Sequence, residues 1–110
     1  MAFDDLKRAA EAHYRQHGVY ALSMYSRPDL TAAEIAQVVG GEALPHQQMR
    51  ASTVGRLRGN GFEVVPSEPP PAHVDVLLQG PLTEEVAAAL VATFNPPEPN
   101  PVALSGGTHV

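Results

Sequence analysis

Three arginines stand in a stretch of the chain that has no acidic residue. The stretch runs from Pro45 to Gly61, whereas the 110-residue chain as a whole has a formal net charge of −5. Arginine and hydroxyl side chains are among those that contact nucleic-acid phosphates. The candidate phosphate-contacting residues are Arg50, Ser52, Thr53, Arg56 and Arg58. On a helix, at about 100° per residue, the three arginines do not share one face, so a solvated helix surface with cations near its C-terminus is the alternative interpretation.

Histidine is the only side chain type here with a pattern that suggests catalysis or metal binding. His73 begins a predicted strand, and its imidazole is a candidate general acid or base. Asp75 follows two residues later on the same face of that strand, so a histidine on a polar strand face is the alternative. His13 and His17 stand four residues apart, which suits a shared metal. No third ligand lies beside them in the sequence, so we predict no metal site and no cofactor.

Composition limits the function classes further. The chain has no cysteine, which excludes disulfides, thiol catalysis and cysteine-ligated zinc. It lacks an apolar run of about 18 residues, and its charged N-terminus lacks the apolar segment of a secretory leader. We therefore expect a cytoplasmic protein without a membrane-spanning segment. The acidic balance argues against non-specific nucleic-acid binding, which depends on neutralising phosphates.

The first half of the chain predicts three helices and one strand. Apolar residues at three- and four-residue spacing predict a helix from Phe3 to His17, and a strand follows from Val19 to Tyr25. Both faces of that strand are fairly apolar, so we expect it inside a sheet. The segment TAAE begins a second helix with a capping box at Thr31. A third helix is expected from Pro45 to Gly59, or in a shorter form that starts at Ser52 or Thr53.

The second half predicts a hairpin, a helix and a tail. Strands over residues 62–66 and 73–79, joined by a short proline-rich loop, form an antiparallel hairpin. A last helix is expected from Thr83 to Phe94. Its predicted buried face consists of Val86, Ala89, Leu90 and Phe94. Residues 1–94 then form a single α+β domain with four helices and a small, mainly antiparallel three-stranded sheet, and residues 95–110 form a proline-rich, disordered tail.

The order of these elements resembles that of winged helix-turn-helix domains over residues 3–79. TAAEIAQVV corresponds to the scaffold helix, ASTVGRLRGNGF to the recognition helix, and FEVVP with HVDVLL to the wing. The resemblance implies a helix in the major groove of DNA and a wing on the backbone. The segment LRGNGFEVV, followed by His73 on the next strand, also resembles small toxins of the HicA kind. That second resemblance implies a role for His73 in RNA cleavage.

Together these observations predict a small non-catalytic binding module without a membrane partner. The function that we expect is that of a nucleic-acid-binding regulator of a mobile element or of a toxin–antitoxin pair. A ribonuclease-type toxin that uses His73 is one alternative, and a subunit that binds only proteins is another. The partner is therefore a protein or a nucleic acid, and the sequence leaves the oligomeric state open.

Overall fold

The first helix and the strand after it begin the fold of a computed structural model that describes residues 3–41, 44, 48–69 and 72–102. Helix α1 spans Phe3–His17, as the periodicity predicts, with Asp4 and Asp5 in its first turn. It ends where Gly18 adopts a φ of 75° and donates its N–H to the Tyr14 carbonyl at 2.8 Å. Glycine suits this position because it has no Cβ to oppose a left-handed backbone. Strand β1, Ala21–Tyr25, follows directly.

A three-stranded antiparallel sheet forms the centre of the fold. Helix α2 spans Ala32–Val39, the two-residue strand β2 spans Gln48–Met49, and helix α3 spans Val54–Gly59. Strands β3, Glu63–Pro66, and β4, His73–Leu77, form the predicted hairpin. The strand order is β1-β4-β3, and both pairings are antiparallel. The α+β class with four helices and a small antiparallel sheet is thereby confirmed.

The position of β1 in this sheet differs from the prediction. We expected it inside the sheet, but it is an edge strand and β4 is central. Its apolar residues on both faces have a different explanation. Leu22, which is 3% exposed, belongs to the core, and Ala21 is fully buried on the opposite face.

One face of the sheet contributes to the hydrophobic core. Leu22, Val76 and Val64 are neighbours across the three strands, and all three are buried. They pack with side chains from α1, α3, α4 and the segment before α4, namely Ala10, Leu57, Leu82, Ala87 and Leu90. Burial of this apolar surface is the main driving force for folding. The opposite face carries His73 and Asp75, which the alternation of side chains places together.

The cap residues set where α2 and α3 begin. Thr31 accepts a hydrogen bond from the Glu34 N–H while the Glu34 carboxylate accepts one from the Thr31 N–H, which completes the predicted capping box. Thr53 caps α3 in the same way and accepts from the Arg56 N–H at 3.0 Å. Helix α3 therefore takes the shorter of the two predicted forms. Pro45 lies outside the described residues.

Helix α4 spans Glu84–Ala92 and is capped by Thr83. Leu90 is fully buried and Phe94 packs against the core, as we predicted. The other two residues of the predicted face are exposed: Val86 is 38% exposed, and Ala89 is also open to solvent. Ala87 is buried in their place. The apolar composition of EEVAAALVA leaves several faces equally apolar, so periodicity does not define one of them.

The chain after α4 turns back onto residues 44–51. We expected a tail from Asn95 onward; in the structure, strand β5, Glu98–Pro99, pairs with β2 in antiparallel fashion. The Asn95 N–H donates to the Ala51 carbonyl at 2.7 Å, and the Asn100 side chain donates to the Leu44 carbonyl at 2.8 Å. The rest of the predicted tail, residues 103–110, lies outside the described residues. In the described part of the chain, no helix is long and apolar enough to cross a bilayer.

Candidate functional site

The end of the hairpin loop is held beside the end of β1. The Ser67 N–H donates to the His73 carbonyl at 3.0 Å, and the Ser26 N–H donates to the Ala72 carbonyl at 2.8 Å. The Glu68 carboxylate accepts from the Ala72 N–H at 3.2 Å. Ala72 has a φ of 69°, a left-handed conformation that is unfavourable for a residue with a Cβ. The surrounding hydrogen bonds thus hold a strained residue directly before His73.

A carboxylate lies in the middle of the polar face of the sheet. Asp75 is on the central strand β4, between Ser23 of β1 and Val65 of β3. Its side chain is only 14% exposed, and its Oδ1 atom is buried without a hydrogen-bond partner. Carboxylates at such positions are rare because burial removes them from water. The groups that approach Asp75 are therefore important to the fold and to the site.

His13 from α1 contacts the other oxygen of this carboxylate. Its Nε2 atom lies 3.3 Å from Asp75 Oδ2, and its Nδ1 atom lies 2.7 Å from the Val19 carbonyl oxygen. A carbonyl only accepts, so Nδ1 carries a proton and donates it. One further proton must then lie between Nε2 and Oδ2, on the imidazole or on the carboxyl group. The sequence suggested a metal role for His13 and His17, and their rings do lie 4.7 Å apart, but His13 contacts Asp75.

His73 lies on the opposite side of the carboxylate. Its Nδ1 atom is 4.0 Å from Asp75 Oδ1 and forms a short hydrogen bond with the Ser67 hydroxyl. The Tyr25 ring meets the His73 ring edge-on, at 5.3 Å between centroids. No described residue forms a hydrogen bond with His73 Nε2, which leaves that nitrogen able to accept or donate a proton. We call His13, Ser67, His73 and Asp75 the polar cluster.

A small pocket opens next to the polar cluster. Its volume is about 210 Å³. The lining residues come from the end of β1, the hairpin loop and the start of β4, namely Ser26, Arg27, Pro66, Glu68, Ala72, His73 and Val74. We call this the hairpin pocket. Arg27 is exposed, and within the described ranges its guanidinium has no ion-pair partner. A cation, a hydroxyl and an imidazole thus border one cavity.

The predicted phosphate-contacting residues lie elsewhere, around α3 and the end of α4. The Arg56 guanidinium donates to the Thr93 carbonyl at 3.0 Å and to Asn95 Oδ1 at 3.1 Å, and the Ser52 hydroxyl donates to the same Thr93 carbonyl at 2.7 Å. The Thr53 hydroxyl serves as the cap of α3. Each of these side chains therefore has an intramolecular role.

The other two arginines are separated from Arg56 by their contacts. Arg58 donates to the Val64 carbonyl of β3 at 2.9 Å. Arg50 is half-buried, and its Nε atom is buried with no hydrogen-bond partner. Across the described residues, none of the arginines at 50, 56 and 58 is paired with a carboxylate. Their positive charges stay uncompensated, but they do not converge on one point as a single phosphate clamp.

Metal binding gains no support from the arrangement of titratable groups. Within the ranges that the structure describes, no set of three or more histidine or acidic residues is arranged to hold a metal ion. The polar cluster therefore acts through proton sharing and hydrogen bonding.

Comparisons with known proteins leave the chain without a relative. No family model matches it, and neither a curated protein nor a solved structure matches it. Any functional conclusion must therefore come from the site itself.

The residues of the site differ in how visible they are in the sequence. The spacing of His73 and Asp75 predicts that they share a strand face, and they do. Ser26 and Arg27 mark the end of β1 in the sequence, but their place beside His73 follows from the pairing of Tyr25 with His73. The contact of His13 with Asp75 joins residues 62 positions apart, and no local pattern indicates it.

Proposed function

We propose that this chain is a small nucleic-acid-binding module that receives a backbone phosphate in the hairpin pocket. The observation that carries the proposal is the position of Arg27, Ser26 and His73 around one cavity. Guanidinium, hydroxyl and imidazole N–H groups are all donors to phosphate oxygens. An arginine with no carboxylate partner keeps its full charge for such a ligand.

The size of the pocket favours one phosphate over a larger molecule. Sites for drug-sized ligands have volumes of about 300–1,000 Å³, whereas the hairpin pocket has about 210 Å³. Glu68 also lines it and is tied to the Ala72 N–H. Its negative charge opposes the approach of a second phosphate, so we infer one phosphate contact per pocket.

Salt-dependent binding tests this proposal. Fluorescence anisotropy with labelled single-stranded RNA, single-stranded DNA and duplex DNA gives the affinity at several salt concentrations. Replacing Arg27 with glutamine is expected to lower the slope of log affinity against log salt by about one. Arg15→Gln is the matched control, because Arg15 is exposed on α1 and does not line the pocket. If the native chain binds none of the three at low salt, the proposal fails and a protein partner becomes the better explanation.

The polar cluster supports a second candidate, ribonuclease activity with His73 as general acid or base. Here Ser67 fixes one nitrogen of the His73 ring, and Nε2 is left without a described partner. A positioned imidazole with one available nitrogen is the arrangement that proton transfer requires. The RNA 2′-hydroxyl is the group whose proton such a base would remove.

Three variants separate binding from cleavage. His73→Gln is expected to abolish cleavage of RNA, and Arg27→Gln to weaken binding. Ser67→Ala removes only the group that holds the ring, so it is expected to slow cleavage by roughly tenfold or more, which corresponds to about 1.4 kcal/mol of barrier, with little change in affinity. Intact RNA after prolonged incubation with the native chain would exclude this candidate and leave the binding module unaffected.

A further inference from the structure

The chain beyond α4 covers part of the arginine-bearing segment. We call residues 95–102 the C-terminal strap. Asn95 accepts from the Arg56 guanidinium, and β5 within the strap pairs with β2, which directly precedes Arg50. The strap therefore lies against the same stretch of sequence that lacks acidic residues.

Hydrogen bonds hold the strap more than apolar burial does. Its contacts are the Asn95–Ala51 and Asn100–Leu44 hydrogen bonds and the short β2–β5 pairing. Residues 95–99 are all exposed, while Asn100 is 8% exposed and Val102 is half-buried. Hydrogen bonds that exchange with water each contribute only about 1 kcal/mol, so an attachment of this kind opens more easily than a core element.

The acceptors that the strap offers are uncharged. Asn95 Oδ1 is an amide oxygen, and the Thr93 carbonyl just before the strap also accepts from Arg56. A phosphate oxygen is the stronger acceptor for a guanidinium, because both partners are charged. Arg50 adds a second observation, since its Nε donor is buried without an acceptor and such a donor is costly to leave unpaired.

We propose that the C-terminal strap is a displaceable cover over a second phosphate-contacting surface formed by Arg50 and Arg56. The strap occupies Arg56 in the closed chain, and a nucleic-acid backbone replaces it when the strap opens. This inference rests on the proposed function, because it takes nucleic acid as the ligand. It concerns a different set of arginines from the hairpin pocket, so the two can fail separately.

A reversible cross-link tests the cover directly. Met49 and Glu98 are direct partners in the β2–β5 pairing, and cross-strand neighbours lie about 4.5–5.5 Å apart at Cα, within the range for a disulfide. The native chain has no cysteine, so the double variant Met49→Cys/Glu98→Cys can form one disulfide only. Oxidation locks the strap and reduction frees it, in the same polypeptide with the same charge.

The reduced form is expected to bind RNA or duplex DNA roughly tenfold more tightly than the oxidised form, with a salt slope larger by about one to two. Adding Arg56→Gln is expected to remove most of this difference, because the cover then has less to hide. Asn95→Ala/Asn100→Ala loosens the strap without a cross-link and is expected to raise affinity above that of the native chain.

Two results would overturn the strap proposal. Equal affinity of the oxidised and reduced forms, with the native chain binding and Arg27→Gln weakening it, leaves the proposed function intact and rejects the cover. Absence of binding by the reduced form and by Asn95→Ala/Asn100→Ala rejects both. Thiol titration and intact mass establish that the disulfide has formed.

Discussion

Replacing His13 with alanine removes the hydrogen bond that Asp75 receives from α1. The other carboxylate oxygen, Oδ1, is already without a partner, so the variant leaves a carboxylate with 14% side-chain exposure unsupported by any described residue. Hydrogen bonds to charged groups contribute about 1.5–3 kcal/mol. The Val19 carbonyl also loses its donor, but Val19 is 45% exposed and water can replace it. We expect His13→Ala to lower the free energy of unfolding by about 2–3 kcal/mol.

Urea denaturation followed by far-UV circular dichroism measures this loss. A change of that size lowers the midpoint by about 1–2 M if the dependence on denaturant is unchanged. His17→Ala is the matched control, since His17 is an exposed histidine one turn further along the same helix, and we expect a change within about 0.5 kcal/mol.

A double-mutant cycle isolates the contact itself. His13→Ala, Asp75→Ala and the double variant are expected to give a coupling energy of about 1–2 kcal/mol, within the range for residues in direct contact. A coupling near zero, or equal losses for His13→Ala and His17→Ala, would refute the conclusion that His13 stabilises the buried carboxylate.

Three further predictions concern the helices and the hairpin loop. Leu90→Ala is expected to cost about 2–5 kcal/mol because Leu90 is fully buried, whereas Val86→Ala should cost less than about 1 kcal/mol; similar losses in urea denaturation would contradict the observed face of α4. Ala72→Gly should leave stability almost unchanged, since relief of the left-handed backbone offsets the greater freedom of the unfolded chain, and Ala72→Val should cost about 1–3 kcal/mol. The hydrogen bonds from the Thr31 N–H and hydroxyl side of the capping box lower the pKa of Glu34, so its charge stabilises the fold at neutral pH and this contribution is lost as the pH falls through the lowered pKa. The stability difference between the native chain and Glu34→Gln, measured in urea, is therefore expected to shrink with acidification, and a difference independent of pH would exclude the effect.

Local signals were sufficient for the elements whose ends have caps or turns. Gly18 ends α1, the capping box at Thr31 begins α2, and Thr53 begins the shorter form of α3. Each of these depends on hydrogen bonds within a few residues, which the sequence displays directly. The hairpin of β3 and β4 was predictable for the same reason.

The wrong predictions depended on distant partners or on ambiguous patterns. Strand β1 pairs with β4 more than forty residues later, from Ala21 with Leu77 to Tyr25 with His73, and strand order in a sheet is not encoded by either strand alone. In α4 most side chains are apolar, so Val86 and Ala87 were equally good candidates for burial until the packing of the helix was known.

The candidate site shows the same division between local and distant information. The alternation of β4 places His73 and Asp75 on one face, and that was predictable. The approach of Arg27 depends on the pairing of β1 with β4, and the approach of His13 depends on how α1 crosses β1. The arginines chosen from charge alone have intramolecular hydrogen bonds at Arg56 and Arg58, because composition shows where charge accumulates and not which acceptor each guanidinium meets.

Asp75 is the residue whose presence most needs a physical explanation. An apolar residue on the central strand would avoid the cost of burying a carboxylate, and such replacements of buried ion pairs are often neutral or stabilising. The carboxylate lies between two imidazoles, with His13 on Oδ2 and His73 4.0 Å from Oδ1. His73 also lines the hairpin pocket, so the same residue belongs to the buried cluster and to the surface site. A leucine at position 75 would leave His13 without its acceptor and would remove the negative charge behind His73. The cost of Asp75 is therefore tied to the orientation and electrostatics of His73, the side chain on which both candidate functions depend.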